Sequence, residues 1–333
     1  MADKGRALSL RRSIVALSAI GIFLVGVIVS VASIWPLYQY IKKEEERSLL
    51  LALSTKTAVV EEYLARAKDI SEQISCRTEA RKKLEAYNAH QISLGELAAW
   101  TQPSLSDAIS LSHEIWGLCR LDKQGQPVAE LGLEIPPGTW SGMDADSQAP
   151  SIIGPITLGR RPYLVVASPI INRSGERVGT DLVLFRLFRL RQIVEDITGL
   201  GLTGETILGV VNRKDVDLIF PFEDDRGTVL RRVSAESATG IAIRKASLKQ
   251  TGILMPERGT SSHYVIAYGP IKNSPWGIAV RKDETELYAP INRQIVASAY
   301  LIICLIFLGS LIMILILRPL AGQVIIHTDE LMR

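Results

Sequence analysis

The chain has 333 residues, 47% of them hydrophobic, with a formal net charge of +3, four histidines and three cysteines. Three cysteines are too few for a disulfide-built scaffold. Once the basic N-terminus is set aside, acids and bases balance through the middle of the chain, so there is no basic face of the kind nucleic acid needs.

Lys4, Arg6, Arg11 and Arg12 precede an apolar run at residues 14–35. That run is longer than the about 7 to 15 residues of a cleavable signal. It reads as a retained transmembrane helix, with residues 1–13 held in the cytoplasm by the positive-inside rule. Residues 36–75 continue as one long helix for signalling or dimerisation. Leu49, Leu53, Lys56, Val60, Tyr63, Ala67, Ile70 and Ile74 recur in steps of four and three, an apolar seam with one polar member. Such a seam suits a helix lying along its own domain or one packing in a dimer, and the spacing leaves both open.

Residues 77–108 stay helical in pattern, with Pro103 marking a break. The period then changes. Residues 115–121 and 127–131 flank Asp122-Lys123-Gln124-Gly125 as a hairpin. Residues 134–162, rich in Gly, Pro, Ser and Asp, read as a loop. A second hairpin joins residues 163–171 to 178–185 through Asn172-Arg173-Ser174-Gly175-Glu176. A short amphipathic helix follows at 187–197, then strands at 206–211 and 216–220, a helix within 234–249, and strands at 263–271 and 276–281. Asp283 and Glu286 stand at capping-box spacing before a final helix, in which Pro290 predicts a bend. Residues 295–317 carry no charge and at about 1.5 Å per residue span about 35 Å, enough for a hydrocarbon core about 30 Å thick. The topology is in, out, in. The fold class is α+β, a long N-terminal helix plus two units of antiparallel sheet, flanked by two transmembrane helices.

The chemistry-bearing motifs are few. Gly199-Leu200-Gly201-Leu202-Thr203-Gly204 spells G-x-G-x-x-G, but a helix precedes it and a strand follows, the reverse of a dinucleotide fingerprint. It reads as a glycine-rich turn. His90, His113, His263 and His327 have no metal-ligand spacing, and His327 beside acids reads as a solvated residue. The sequence calls for no catalytic set, metal or cofactor. Cys76 and Cys119 fall in the outer region, where a bridge or two separate thiols are both open. The loop before the second hairpin gathers Trp140, Asp144, Arg160 and Arg161, and Tyr163 opens the strand. An aromatic, an acid and paired arginines near a sheet edge make a candidate site for a small charged ligand, because Arg grips carboxylates with two parallel bonds.

In order and spacing the chain resembles the double Cache (double PDC, PAS-like) extracytoplasmic sensors of bacterial signal-transduction receptors. The residues that carry the resemblance begin with Leu121-Asp122-Lys123-Gln124-Gly125, and Ala167-Ser168-Pro169-Ile170 with Gly175 and Val178-Gly179. The second half adds Thr203-Gly204-Glu205-Thr206, then Tyr268-Gly269-Pro270-Ile271 with Trp276-Gly277. The resemblance implies a membrane-distal unit at 76–190 that holds the ligand and a membrane-proximal unit at 191–294. In amino-acid-binding members an Arg-x-x-Trp-like element is expected. Here Arg160-Arg161-Pro162-Tyr163 lacks the Trp, and Asp181 is a candidate for one acid. Residues 318–333, opening with Arg318-Pro319-Leu320, resemble the start of a cytoplasmic relay such as HAMP. The expected function is a membrane-anchored, homodimeric sensor of a small periplasmic ligand. It would signal through the second transmembrane helix to a histidine kinase, diguanylate cyclase or chemotaxis output. The competing expectation is a module that docks a protein partner through its long helix.

Overall fold

A computed structural model describes residues 2–110, 112–143, 147–159, 161–220, 230–256 and 263–331. They divide into a compact unit, Leu49–Asp283, and a helical unit made by the segments on either side of it.

The compact unit begins within α1 (Ala2–Ser75), followed by α2 (Thr78–Asn88) and α3 (Leu94–Ser110). Pro103, expected to break the helix, lies inside α3. A proline costs one backbone bond there but keeps a helical φ. Burial of Leu97, Thr101 and Leu105 on either side holds the helix through it.

Five strands then form the first sheet: β1 (Ile115–Leu121), β2 (Pro127–Gly132), β3 (Ser151–Leu158), β4 (Arg161–Ile171) and β5 (Arg177–Arg186). Their order is β2-β1-β5-β4-β3, all antiparallel. Strand β3 corrects the expectation of loop throughout 134–162. Gly154 and Pro155 interrupt its alternation, and the register with β4 shifts between Ile153 and Ile156. Proline is tolerated on an edge strand, where its missing donor faces no neighbour.

Helix α4 (Phe188–Glu195) leads to the second sheet: β6 (Glu205–Asn212), β7 (Asp215–Ile219), β8 (Leu230–Ser234), β9 (Gly252–Leu254), β10 (Tyr264–Pro270) and β11 (Trp276–Asp283). The order β8-β7-β6-β11-β10-β9 repeats the first sheet's arrangement with one strand added at the edge. Helix α5 (Ala238–Ser247) lays Ala242, Ile243 and Ala246 on a sheet face formed by Ile207, Ile266, Tyr268 and Ala279.

The seam of α1 is the backbone of this unit. Leu49, Leu53, Val60, Tyr63, Ala67 and Ile74 are all buried. Toward its start, the Leu53 side chain lies 3.5 Å from where a Cβ on Gly269 of β10 would sit. At its end the Ser75 hydroxyl donates to the Ser168 carbonyl of β4 at 3.4 Å. This stripe of the helix therefore packs on the chain's own sheets. Lys56, its polar member, donates to both the carboxylate (2.7 Å) and the carbonyl (2.6 Å) of Asp196 just past α4. The two sheets also meet directly: Trp276 is 1% exposed, and its indole N–H donates to the Gly154 carbonyl of β3 at 3.0 Å.

The helical unit comprises the N-terminal part of α1, α6 (Glu284–Leu287) and α7 (Ala289–Leu331). Pro290 is the second residue of α7, where a missing N–H costs nothing, so the chain restarts a helix there instead of bending one. Both long helices contain a stretch long and apolar enough to cross a membrane, with mean hydropathy 1.6 and 2.6. They meet at Gly26, where a Cβ would lie 2.7 Å from Ile306 Cγ1.

Candidate functional site

Two turns of the same design stand side by side at one end of the first sheet. In the first, Asp122 Oδ1 accepts from the backbone N–H of Gln124 (2.9 Å) and Gln126 (2.8 Å). In the second, Asn172 Oδ1 accepts from Ser174 (3.0 Å) and Glu176 (2.8 Å). Each short side chain mimics a turn of backbone. Each is followed by a glycine at positive φ, Gly125 at 79° and Gly175 at 83°, a conformation that a side chain would strain.

These turns frame a cavity of about 620 Å³, lined among others by Asp122, Lys123, Trp140, Met143, Arg177 and Thr180. It opens on the sheet face turned away from α1. Strand alternation puts Thr180, Leu182 and Leu184 on that face, where Leu182 and Leu184 join Cys119, Leu121, Tyr163, Val165 and Ala167 in one buried cluster. Trp140 and Met143 from the preceding loop pack over the cluster. The Arg177 guanidinium is held in place by hydrogen bonds to the Thr180 hydroxyl and by the Met143 sulfur. The cavity thus combines a positioned cation on Arg177, a second on Lys123, an acid on Glu176 and an aromatic wall.

Of the residues singled out by sequence, Trp140 lines this cavity. Asp144 and Arg160 lie outside the described residues. Arg161 opens β4 with its side chain exposed. Tyr163 is 3% exposed, packed in the cluster beneath the loop with its ring 6.4 Å from that of Trp116. It sits about 20 Å along β4 from the cavity end, at about 3.3 Å per residue. Asp181 is not an acid for a ligand. It lies on the opposite face, fully buried, and takes a two-pronged bond from Arg120 at 2.7 and 2.8 Å. The turn residues Lys123 and Arg177 were the ones that residue-by-residue reading missed. Their signal was the repeated turn motif itself, which brings two hairpin tips together.

Cys76 and Cys119 are free thiols, the first exposed and the second buried. Burial, with the nearby Glu130 carboxylate, pushes the Cys119 thiol up to about 12. The stretch 199–204 is a turn before β6, with Gly199 and Gly201 at positive φ, as read from sequence.

No protein-family model matches the sequence, and no curated protein matches it either. Solved structures do resemble the fold. The sensory domain of the Campylobacter jejuni chemoreceptor Tlp3 (CcmL) aligns with a TM-score of 0.51 at 9% identity, over 75% of this chain and 98% of that one. The ligand-binding domain of Tlp3 in complex with 4-methylisoleucine gives 0.51 at 11% identity, over 75% and 94%. The periplasmic sensory domain of the Campylobacter jejuni chemoreceptor Tlp1 gives 0.50 at 11%, over 75% and 99%. At such identities the likeness speaks for the fold. Taken with the strand order of the two sheets and the long buried helix, it shows that this chain shares the α+β fold of these domains, a long helix beside two antiparallel sheets.

Proposed function

We propose that the chain is a membrane-anchored sensor that binds a small extracytoplasmic molecule in the cavity of its first sheet. The binding signal leaves through α7. The observation that carries this reading is the cavity itself: it lies on the sheet face left uncovered by α1, walled by Trp140 and furnished with a positioned Arg177. Its volume falls in the range of metabolite pockets, about 300 to 1,000 Å³. A carboxylate suits Arg177 and Lys123, and an ammonium or hydroxyl suits Glu176. Small amino and hydroxy acids are therefore the first ligands to test, in keeping with the 4-methylisoleucine held by the Tlp3 domain.

In this reading residues 14–35 and 295–317 are the two spans and both termini are cytoplasmic. Residues 76–190 form the ligand unit and 191–294 the unit that adjoins the second span. Homodimerisation and a cytoplasmic kinase, cyclase or chemotaxis output complete the scheme. A ligand shifts such a receptor only by binding one of its two states better, and about 1.4 kcal/mol of preference moves the equilibrium tenfold.

The test is a thermal-shift screen of segment 49–283 against amino acids, hydroxy acids, amines and sugars. A compound at about 100 times its Kd should add about 2.7 kcal/mol of stability. Trp140→Ala and Arg177→Gln should each abolish the shift. Well-folded protein that no compound in the panel stabilises would count against direct sensing.

A further inference from the structure

We propose that the second sheet carries a ligand site of its own, for a small carboxylate with an apolar body. This goes beyond the first-sheet reading and does not depend on it. A cavity of about 420 Å³ opens on the α5 face of the second sheet, and it lies within the size range of small-molecule pockets. Its polar wall is built across three strands. Glu205 of β6 and Arg281 of β11 are register partners, and both Nε and Nη2 of Arg281 reach the same oxygen of Glu205, at 2.7 and 2.6 Å. The guanidinium carbon lies over the Tyr264 ring of β10, 4.4 Å from its centroid. Ring and carboxylate together fix the plane of the cation while Nη1 has no hydrogen-bond partner among the described residues. A guanidinium held between a carboxylate and a ring, with a donor to spare, is preorganised for an anion.

The first turn of α5 also contributes, its Ser237 and Thr239 lining the cavity. Ser237 caps the helix by accepting from Gly240 N–H, and the positive end of the helix dipole adds to the pull on a negative group. The floor is apolar, from Ile207, Leu218 and Phe220. Phe220 is held at φ +59°, a conformation rare for a bulky residue and one that tends to persist where the surroundings impose it at working sites. Cation and helix terminus on the walls with hydrocarbon beneath describe a carboxylate head and an apolar body.

The probe is 4-fluorobenzoate, followed by fluorine NMR on the full chain in detergent. Saturable binding is expected, weakened about tenfold or more by Arg281→Gln and by Val233→Trp, and altered less than about twofold by Trp140→Ala. Val233 lines the cavity without joining the Glu205–Arg281 pair, so its replacement fills the space and leaves the pair intact if Arg281→Gln fails to fold. Absence of saturable binding up to about 10 mM overturns the proposal. So does binding that Trp140→Ala removes and Val233→Trp leaves in place, since that assigns the probe to the first sheet.

Discussion

The Arg120–Asp181 pair is the costliest chemical choice in the molecule. Both side chains are buried, at 1% and 0% exposure, on the face of the first sheet that packs against helices. Burial alone would lower the Arg120 pKa, but the Asp181 carboxylate beside it outweighs that and holds the guanidinium charged. Two charges taken from water return little net stability, yet removing one leaves the other stranded. Asp181→Ala should therefore cost about 3 to 5 kcal/mol in chemical denaturation, while the double replacement Arg120→Met with Asp181→Leu should recover most of that loss. If the double variant is as unstable as the single one, packing and not stranded charge is responsible. The cysteines offer a second measurement at this scale. A thiol attacks as its thiolate, so Cys119, buried and pushed up to about 12, should resist a thiol reagent at pH 8 until the protein unfolds. Exposed Cys76 should label in the native state, slowed by its own raised pKa, for which partial burial is the first cause. Labelling of both at equal rates would mean that the first sheet opens readily.

At the scale of elements, α1 shows how far periodicity reaches and where it stops. Steps of four and three named a stripe of which every member but the half-buried Ile70 is buried, because a helix beside a sheet must bury one stripe. They could not say what covers it, since a dimer partner and the chain's own sheets ask for the same stripe. The contact of Lys56 with Asp196 shows the chain's own fold meeting the stripe, through residues 140 apart in sequence, a separation that no local pattern carries. The hairpins were legible for a different reason: Asp122 and Asn172 sit where a turn needs an acceptor, with glycine where it needs positive φ. Strand β3 was hidden because Gly154 and Pro155 erase its alternation. Strands β8 and β9 were hidden because they are short and lie at edges, defined by their neighbours more than by their own residues. The Lys56 pair also sets a pH dependence. Hydrogen bonds from Lys56, then Thr198, hold the Asp196 carboxyl well below the usual range, at about 2. A depressed carboxylate stabilises the fold at pH above its unfolded value, near 3.9, and that contribution is lost as pH falls toward 2. Asp196→Asn should flatten this part of the acid-unfolding curve and leave a lower plateau at neutral pH. Because Asp196 is half exposed, solvent screening keeps the effect modest. An unchanged acid limb in the variant would show that other carboxylates control it.

For the whole molecule the question is whether two sheets of matching order act as one body, since the proposed function requires a change to pass from one to the other. Two structures join them. Helix α1 runs past both, with Leu53 against Gly269 and Ser75 against Ser168. Trp276 provides the direct link, a buried indole on the first residue of β11 bonded to the carbonyl of Gly154 in the edge strand β3. That carbonyl lies at the register shift of β3, so the link grips the strand where regular pairing is interrupted. Trp276→Phe preserves an aromatic body and removes the donor, which leaves a polar group unsatisfied at a cost of about 1 to 3 kcal/mol. The intact segment 49–283 should unfold in a single transition, with coincident curves from near- and far-ultraviolet circular dichroism. If the indole is the principal tie, Trp276→Phe should lower the denaturant slope or separate the two curves, because each sheet then opens on its own. If the slope is unchanged and only the midpoint falls, α1 alone couples the sheets. A ligand held by Trp140 and Arg177 would then act on the second sheet through the buried seam from Leu49 to Ile74, and substitutions along that seam, not at Trp276, would be the ones that disconnect binding from the second sheet.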